Sequence, residues 1–381
     1  MKSICHSCDS ENLFFFNGFN KFFNVSSDCQ KLKFKSKLVL CKKCNLLQKH
    51  CTKKWGSEVS EIYKNYKMYS QSSNLLEQKV LSNGNFESRS SLILKWIKKK
   101  YKINKKGRFL DFGCGIGNTL LTVENFLTNW EIFGYEPEKK NIEDFLKIKN
   151  KKRILSKLKS GHKFNLITLI HVLEHITKPK DVLRKISSLL EENGLCIIQV
   201  PYFINNPFDL IIYDHCSHFE PSNFFHLCEK TGLSIDSIDN YPIKKELTIV
   251  LKKHKNKNKN KNKNKPLKKI PNKKNLITKQ INWLGEVLIK MPKKSQSKIG
   301  IFGTSIASAW VSNNINSSID FYVDEDESRI NNTFLKKRII DSANIPEFSS
   351  LYIPLTYEIA KLIKTKIKKK NVRIVTSPVL K

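Results

Sequence analysis

Residues 109–117 read Phe-Leu-Asp-Phe-Gly-Cys-Gly-Ile-Gly, an apolar run that passes directly into a glycine-rich turn. The run has the character of a buried β-strand, and the segment after the turn has helical character. Glycine is needed where the backbone turns tightly and approaches a ligand with no Cβ in the way. The spacing is GxGxG after Asp111, and Asn118 stands where a dinucleotide fingerprint has its third glycine. The stretch therefore predicts a nucleotide-binding turn and disfavours a pyrophosphate-binding one.

Short apolar segments alternate with amphipathic segments on both sides of this turn. The predicted strands are residues 108–112, 131–135, 164–170 and 195–200. Helical spacing of apolar residues is found in 91–101 and 181–190. Alternation of this kind predicts an α/β fold in which helices cover a parallel sheet.

An acidic residue, Glu136, follows the second of these strands about 20 residues beyond the glycines, where a carboxylate can accept both hydroxyls of a ribose. An acid-x-Gly-x-Gly-x-Gly loop paired with such an acid resembles class I S-adenosylmethionine-dependent methyltransferases. The resemblance implies that Glu136 holds the ribose and that Asp111 lies near the methionine ammonium. The residues expected to bind this cofactor are Asp111, Gly113, Cys114, Gly115, Gly117, Glu136 and His171. His171 could instead cap the helix that follows it.

Two Cys-x-x-Cys pairs lie near the N-terminus, Cys5 with Cys8 and Cys41 with Cys44. Each pair converges two thiolates, so together they supply the four ligands of a closed tetrahedral zinc site. Such a site leaves no open position for substrate, and the predicted zinc is structural. The substitute ligands that remain open are Cys29, Cys51, His6 and His50.

Ligands of open α/β sheets bind beyond the carboxyl ends of the strands, so residues 171–175 and 201–218 are expected to face substrate. Residues 213–218 read Tyr-Asp-His-Cys-Ser-His and concentrate a phenol, a carboxylate and two imidazoles. Proton removal near neutral pH needs a base of this kind with an acidic neighbour to orient it. At least one of His175, His215 and His218 is expected to act on substrate.

Apart from the Lys/Asn tract, nearly the full length of the chain resembles the nucleotide-sugar C-methyltransferases, in which a zinc module, a methyltransferase domain and a degenerate Rossmann-like domain follow one another. Their base lies in a Tyr-Asp-Glu-His segment, to which residues 212–215, Ile-Tyr-Asp-His, are similar. The resemblance implies that His215 is the base, that Asp214 orients it, and that Tyr213 or His175 stabilises an enolate oxygen. His218 with the following Phe matches the His-Phe of other small-molecule methyltransferases equally well, which leaves the acceptor atom open.

Four segments are therefore expected along the chain. Residues 1–70 form the zinc module, 71–250 the methyltransferase domain, 251–275 a Lys/Asn-rich linker, and 276–381 the C-terminal Rossmann-like domain. In the last segment, residues 303–308 resemble a GxGxxG turn in which two glycines have become serine. We expect this turn to be a relic without its own cofactor. The resemblance assigns the domain to one wall of the substrate cleft, where Lys and Arg attract a nucleotide diphosphate.

Composition limits the partners. Lys and Arg number 69 against 34 Asp and Glu, a formal net charge of +35, which raises nucleic acid or anionic surfaces as partners. The Lys/Asn tract at residues 252–269 contributes ten of the lysines and is interpreted as a solvated linker rather than a nucleic-acid-binding arm. No signal peptide or membrane-spanning run is found in the sequence, and the expected location is cytoplasmic. The expected partner is a small molecule, a nucleotide-linked sugar, with no membrane and no specific nucleic acid; a homodimer stays open.

Two other functions stay open at this point. One is an O- or N-methyltransferase of another small metabolite, which needs the same donor site. The other is a zinc-containing RNA-binding protein or RNA methyltransferase, which only the charge favours, since the sequence has no aromatic RNA-binding motif.

Overall fold

The computed structural model describes residues 4–66, 79–82, 85–137, 152–159, 161–253, 270–293, 297–315 and 318–380. The strands are β1 Leu13–Phe15, β2 Leu38–Cys41, β3 Leu47–Lys49, β4 Lys79–Ser82, β5 Asn85–Ser88, β6 Gly107–Phe112, β7 Trp130–Tyr135, β8 Lys152–Leu155, β9 Phe164–Ile170, β10 Leu190–Pro201, β11 Ser217–His218, β12 Leu233–Asp239, β13 Glu246–Lys253, β14 Ile299–Phe302, β15 Phe321–Val323, β16 Thr333–Phe334, β17 Lys337–Ile340, β18 Ser350–Ile353 and β19 Arg373–Thr376. The α-helices are α1 Lys53–Lys64, α2 Arg89–Lys100, α3 Asn118–Phe126, α4 Pro179–Leu189, α5 Asn223–Cys228, α6 Lys273–Ile289, α7 Ile306–Asn314 and α8 Tyr357–Lys366.

The central sheet has the strand order β12-β13-β10-β9-β6-β7-β8. Strands β8, β7, β6, β9 and β10 pair in parallel, whereas β13 runs antiparallel to both of its neighbours. The predicted α/β fold with a Rossmann-like sheet is therefore confirmed. The predicted strand 164–170 coincides with β9, while β10 begins at Leu190 rather than at residue 195.

Alternation of side chains along β6 gives this sheet a core on each face. Phe109 packs with Leu120 of α3 on one face. The next residue, Leu110, packs with Leu183 of α4 on the other face. Burial on both faces explains why β6 reads as a continuous apolar run up to the glycine turn.

The N-terminal segment shares its sheet with the central segment. Its strands β1, β2 and β3 are joined by β11, which pairs antiparallel with β3 through Ser217 opposite Gln48 and His218 opposite Leu47. A second connection is made where the Tyr213 N–H donates to the Val25 carbonyl at 2.8 Å. The segment 1–70 is thus hydrogen-bonded to the loop that carries the candidate base.

The C-terminal segment forms a second Rossmann-like sheet with the order β16-β17-β15-β14-β18-β19. All of its strand pairs are parallel except β16 with β17. Trp310 of α7 and Trp283 of α6 lie in one core with Phe22 of the N-terminal segment and Phe208 of the central one. A shared core fixes the three segments against one another.

The predicted linker 251–275 overlaps two regular elements. Strand β13 continues to Lys253, and α6 begins at Lys273. Residues 254–269, which hold most of the Lys/Asn tract, lie outside the described residues. Among the helices that are described, none combines the length and the apolar character needed to span a bilayer.

Gly134→Ala should destabilise the protein by about 1–3 kcal/mol, because a methyl group there overpacks a filled site. An added Cβ would lie 2.7 Å from Cys114 Sγ and 2.9 Å from Leu120 Cδ1. Urea unfolding measures the loss. Gly161→Ala is the matched control, since its Cβ would meet nothing within 4 Å. Equal stability of the two variants would contradict the tight packing behind the glycine turn.

Candidate functional site

The glycine turn after β6 adopts a backbone that favours glycine. Gly113, Gly115 and Gly117 have φ values of +79°, +52° and +86°, in the left-handed region where other residues are strained. The N–H groups of Gly113 and Cys114 both donate to the Tyr135 carbonyl, at 2.7 and 3.1 Å. The turn is thereby tied to the end of β7, and α3 begins directly after it.

Two carboxylates flank the turn as the sequence predicts. Glu136 accepts a hydrogen bond from the Gly115 N–H at 2.9 Å. Asp111 is 2% exposed and accepts from the Thr168 hydroxyl at 2.6 Å. Asp111 thus lies at the carboxyl end of β6, where the ligands of such sheets bind.

A cavity of about 410 Å³ begins at this turn and extends to the histidines. That volume lies within the range of small-molecule sites, about 300–1,000 Å³. The predicted site residues that line it are Asp111, Gly113, Cys114, Gly115, Gly117, His171, His175 and His215. The N-terminal segment adds Ser27, Asp28, Cys29 and Tyr66, and the C-terminal segment adds Thr304, Ser305, Ile306, Ala307, Arg329, Leu355, Thr356 and Ile359. The glycine turn, the three histidines and both flanking segments therefore line one cavity.

A buried carboxylate joins His215 to His218. The two oxygens of Asp209 contact His215 Nδ1 at 2.6 Å and His218 Nδ1 at 2.5 Å. Asp209 is 2% exposed, and although burial opposes its ionisation, the two imidazoles hold its pKa well below the ordinary range. Because Asp209 occupies Nδ1 of His215, the opposite nitrogen, Nε2, is left for proton transfer.

His175 belongs to a second acid-imidazole pair. Its Nδ1 lies 3.4 Å from Asp214 Oδ2 and 3.0 Å from the Tyr63 hydroxyl. Burial lowers the pKa of His175, but the Asp214 carboxylate outweighs burial and raises it to about 9. His175 is therefore an imidazolium at neutral pH. Its ring lies 4.7 Å, centroid to centroid, from the ring of His215 at an angle of 88°.

His171 is held by carboxylates, and it does not cap a helix. Its Nδ1 lies 3.0 Å from Glu174 Oε1, and its Nε2 lies 3.3 Å from Glu246 Oε1. Arg89 forms a bidentate pair with Glu246, at 3.0–3.1 Å. His171, Glu246 and Arg89 thus form a polar part of the cavity wall next to the glycine turn.

The structure places three of the residues predicted to be catalytic away from the cavity wall. Tyr213 bonds Glu58 through its hydroxyl and packs against Trp55, away from the cavity. Asp214 contacts His175 and Ser27, so it does not orient His215. His218 is 1% exposed and lies behind Asp209 rather than at the cavity wall. Glu136 also lies outside the cavity wall and reaches the turn through Gly115.

Sequence reasoning missed Asp209, Tyr63 and Arg89. Asp209 lies six positions before His215 in the sequence and has an acidic side chain, but no motif distinguished it from Asp214. Tyr63 and Arg89 reach the site from helices 112 and 157 residues away from their partners. Only the tertiary arrangement brings them there.

The four predicted metal-ligating cysteines converge. The Sγ atoms of Cys5, Cys8, Cys41 and Cys44 all lie within 4.8 Å of one another. Cys5 and Cys44 are 3.4 Å apart and Cys8 and Cys41 are 3.5 Å apart, close to the spacing of about 3.8 Å for sulfurs around a tetrahedral zinc. None of the substitute ligands joins the cluster; His6, for example, bonds Ser217 Oγ at 2.9 Å.

Comparison with known proteins identifies the central segment. A protein-family profile described as a methyltransferase domain matches residues 86–238. This range contains the glycine turn and the three histidines of the cavity, His171, His175 and His215. Residues 86–238 therefore form a class I, S-adenosylmethionine-dependent methyltransferase domain.

Individual relatives are similar over shorter stretches. The chain is 37% identical over 65 residues to the C-methyltransferase NovU of Streptomyces niveus, a match that spans 16% of each protein. Among solved structures, the plantazolicin methyltransferase BpumL is 15% identical with a TM-score of 0.37, over 43% of this chain and 82% of that one. A Listeria monocytogenes protein described as an S-adenosylmethionine-dependent methyltransferase is 14% identical with a TM-score of 0.34, over 42% of this chain and 99% of that one.

The His175 pair makes stability depend on pH. The pKa of His175 is about 9 when folded against an ordinary 6.5, so the pair stabilises the fold fully below pH 6.5 and loses this effect as pH rises through 9. Asp214→Asn should lower the free energy of unfolding by about 3 kcal/mol near pH 6, and the difference should shrink towards pH 10. Urea unfolding of both proteins across this range checks it. A difference that does not change with pH would contradict the pairing.

Proposed function

We propose that the protein methylates a carbon atom of a nucleotide-linked keto-deoxysugar, with S-adenosylmethionine as the methyl donor. One observation carries the proposal: the glycine turn and the His175–His215 pair line the same cavity. The NovU stretch supports carbon as the acceptor, since that relative is named a C-methyltransferase.

The residues around the turn fit the donor. Three glycines at positive φ leave the backbone bare, and the Asp111 carboxylate, which lines the cavity, suits an ammonium. Glu136, which accepts from the Gly115 N–H beside the cavity wall, suits a ribose. Bound S-adenosylmethionine supplies an electrophilic methyl group. The protein has then to activate the acceptor and position it.

His215 is the base in this proposal. A carbon next to a sugar ketone has to lose a proton before it can act as a nucleophile. Asp209 holds His215 through Nδ1 and stabilises the imidazolium that forms, so Nε2 receives the proton. Asp209 therefore takes the orienting role that the sequence assigned to Asp214.

His175 completes the chemistry as a hydrogen-bond donor. Loss of the proton moves negative charge to the ketone oxygen, and a preorganised cation next to that oxygen stabilises it. Asp214 raises the pKa of His175 to about 9, so the ring is already protonated at neutral pH. His215 thus accepts a proton and His175 donates a hydrogen bond, because each imidazole is paired with a different carboxylate.

The C-terminal segment supplies a place for the nucleotide diphosphate. Gly303 has a φ of +85°, and the turn after it leads to the N-terminus of α7, which favours anions. Arg329 is 7% exposed, lines the cavity and donates to the Thr304 hydroxyl at 2.7 Å. Ser305 and Thr304 add hydroxyl groups to the same wall. The turn is thus proposed to bind substrate instead of a cofactor of its own.

The cysteine cluster is proposed to hold one structural zinc ion. All four ligands come from the protein, so the ion would have no open position and would stabilise the fold around β2 and β3. Since β3 pairs with β11, that fold supports the loop bearing His215.

His215→Ala should lower turnover by about 10²–10⁴-fold, while S-adenosylhomocysteine still binds. The assay uses labelled S-adenosylmethionine with a panel of nucleotide-linked 4-keto-deoxysugars, NMR of the product and calorimetry for binding. His226→Ala is the control, since His226 lies on α5 with its ring 3.5 Å from Glu229. Unchanged turnover would eliminate His215 as the base, and a methyl group on oxygen or nitrogen would refute carbon methylation.

Metal analysis of the purified protein should find about one zinc per chain. Cys41→Ser should lose the ion and lower the melting temperature, because three ligands cannot hold a closed site. Cys228→Ala, which alters a buried thiol outside the cluster, should retain zinc. Absence of zinc from the wild-type protein, with Cys41→Ser folding normally, would remove the metal from this account.

A further inference from the structure

Lys273 joins three parts of the chain at one buried point. It is the first residue of α6 and is 4% exposed. Its ammonium lies 2.8 Å from Glu220 Oε1, in the loop after β11, and donates to the Asn45 carbonyl at 2.5 Å. Asn45 directly follows Cys44, one of the four clustered cysteines. The contact therefore reaches from α6 to the edge of the proposed zinc site.

Asn45 closes the turn that carries Cys41 and Cys44. Its N–H donates to the Cys41 carbonyl at 2.9 Å, and the Cys41 N–H donates to the Leu46 carbonyl at 2.9 Å. The φ of Asn45 is +59°, a left-handed conformation that Asn tolerates better than most residues. Because this turn fixes where the two sulfurs point, its conformation decides whether they can share one metal ion.

Residues from outside the N-terminal segment hold two carbonyls of this turn. Asn223 of α5 donates from Nδ2 to the Cys44 carbonyl at 3.1 Å, and Lys273 holds the next carbonyl, that of Asn45. Both side chains are buried. Groups that contact metal ligands from behind orient them, and their loss typically costs about 10–100-fold in metal affinity or activity.

Stability does not explain the burial of the Lys273–Glu220 pair. Glu220 is 1% exposed, so both charges are out of water. Well-packed apolar residues of similar volume are often as stabilising as a buried ion pair. An apolar side chain at position 273 would fill the space but would leave the Asn45 carbonyl without this donor. The hydrogen bond to the cysteine turn is thus what the ammonium adds.

We propose that Lys273 is a positioning residue for the metal: its ammonium fixes the Cys41–Cys44 turn in the conformation that binds zinc, and so links zinc retention to the attachment of α6. Glu220 neutralises the ammonium, so the effect is one of position rather than of net charge. The inference rests on the zinc site of the proposed function and not on methyl transfer. Because linkage is reciprocal, bound zinc also strengthens the attachment of α6.

The test measures the zinc affinity of full-length proteins by competition with a coloured chelator. The decisive variant combines Lys273→Met with Glu220→Gln, because it removes both charges and leaves no buried charge without a partner. It should bind zinc about 10–100-fold more weakly than the wild-type protein. Glu220→Gln alone keeps the ammonium beside the Asn45 carbonyl and should bind zinc with near wild-type affinity.

Gln280→Met separates this role from the packing of the helix. Gln280 lies about two turns further along α6, is 0% exposed and donates to the Phe203 carbonyl at 2.9 Å. Loss of that buried hydrogen bond should lower the melting temperature while the zinc affinity stays near the wild-type value. Lys279→Met, at an exposed position of the same helix, should change neither quantity.

Three results would overturn the proposal. The first is a wild-type zinc affinity in the double variant. The second is a zinc affinity that falls in Glu220→Gln or Gln280→Met as much as in the double variant. The third is a double variant that does not fold even with excess zinc, since the pair would then serve the fold and not the metal.

The wild-type protein separates this inference from the proposals on which it rests. Wild-type protein that binds no zinc would refute the proposed zinc site and this inference together. Zinc bound equally by wild-type protein and double variant would refute the inference alone. Methyl transfer enters neither measurement, so the proposed reaction is decided separately.

Discussion

Pairing of β3 with β11 is the contact on which the proposed site depends. Strand β11 has two residues and begins one residue after Cys216, which itself follows His215. So short a strand has little stability of its own, and it exists because β3 offers a formed edge. The N-terminal sheet is therefore part of the scaffold of the proposed active site, although its own residues carry no methyltransferase motif. A zinc ion bound by the cysteine cluster would stabilise this sheet. It would thereby support the proposed base, His215, through β3 and β11 without contacting it.

Buried carboxylates determine the charge states in the cavity. Asp209 holds His215 and His218, Asp214 holds His175, and Glu246 holds His171 together with Arg89. A buried charge without a partner is unfavourable, so each acid keeps an imidazole or guanidinium next to it. The result is that the pKa of His175 is raised to about 9, whereas burial lowers the pKa of His218. Such differences are what general acid-base chemistry near neutral pH requires.

Three segments that are distinct in sequence meet at one cavity. The central segment provides the glycine turn and histidines, the N-terminal segment provides Ser27 and Tyr66, and the C-terminal segment provides Thr304 and Arg329. The aromatic core that joins Phe22, Phe208 and Trp310 fixes the positions of these walls relative to one another. A large substrate with separate sugar and phosphate parts suits a pocket built in this way, which agrees with the proposed nucleotide-linked sugar.

Local patterns in the sequence determined the alternation of strands and helices, the glycine turn with Asp111 and Glu136, and the pairing of four cysteines. These features depend on residues that are close in sequence, such as the glycines of the GxGxG turn and the two cysteines of each Cys-x-x-Cys pair. The direction of each side chain in the loop 201–218 was decided only by the tertiary structure. That loop has little regular structure, and its backbone forms hydrogen bonds with Lys49 and Val25, far away in the sequence, with His215 at the cavity wall and Tyr213 away from it. The sequence pointed to the histidines of residues 213–218 as candidate bases, but only long-range packing decided that Asp209, and not Asp214, contacts His215.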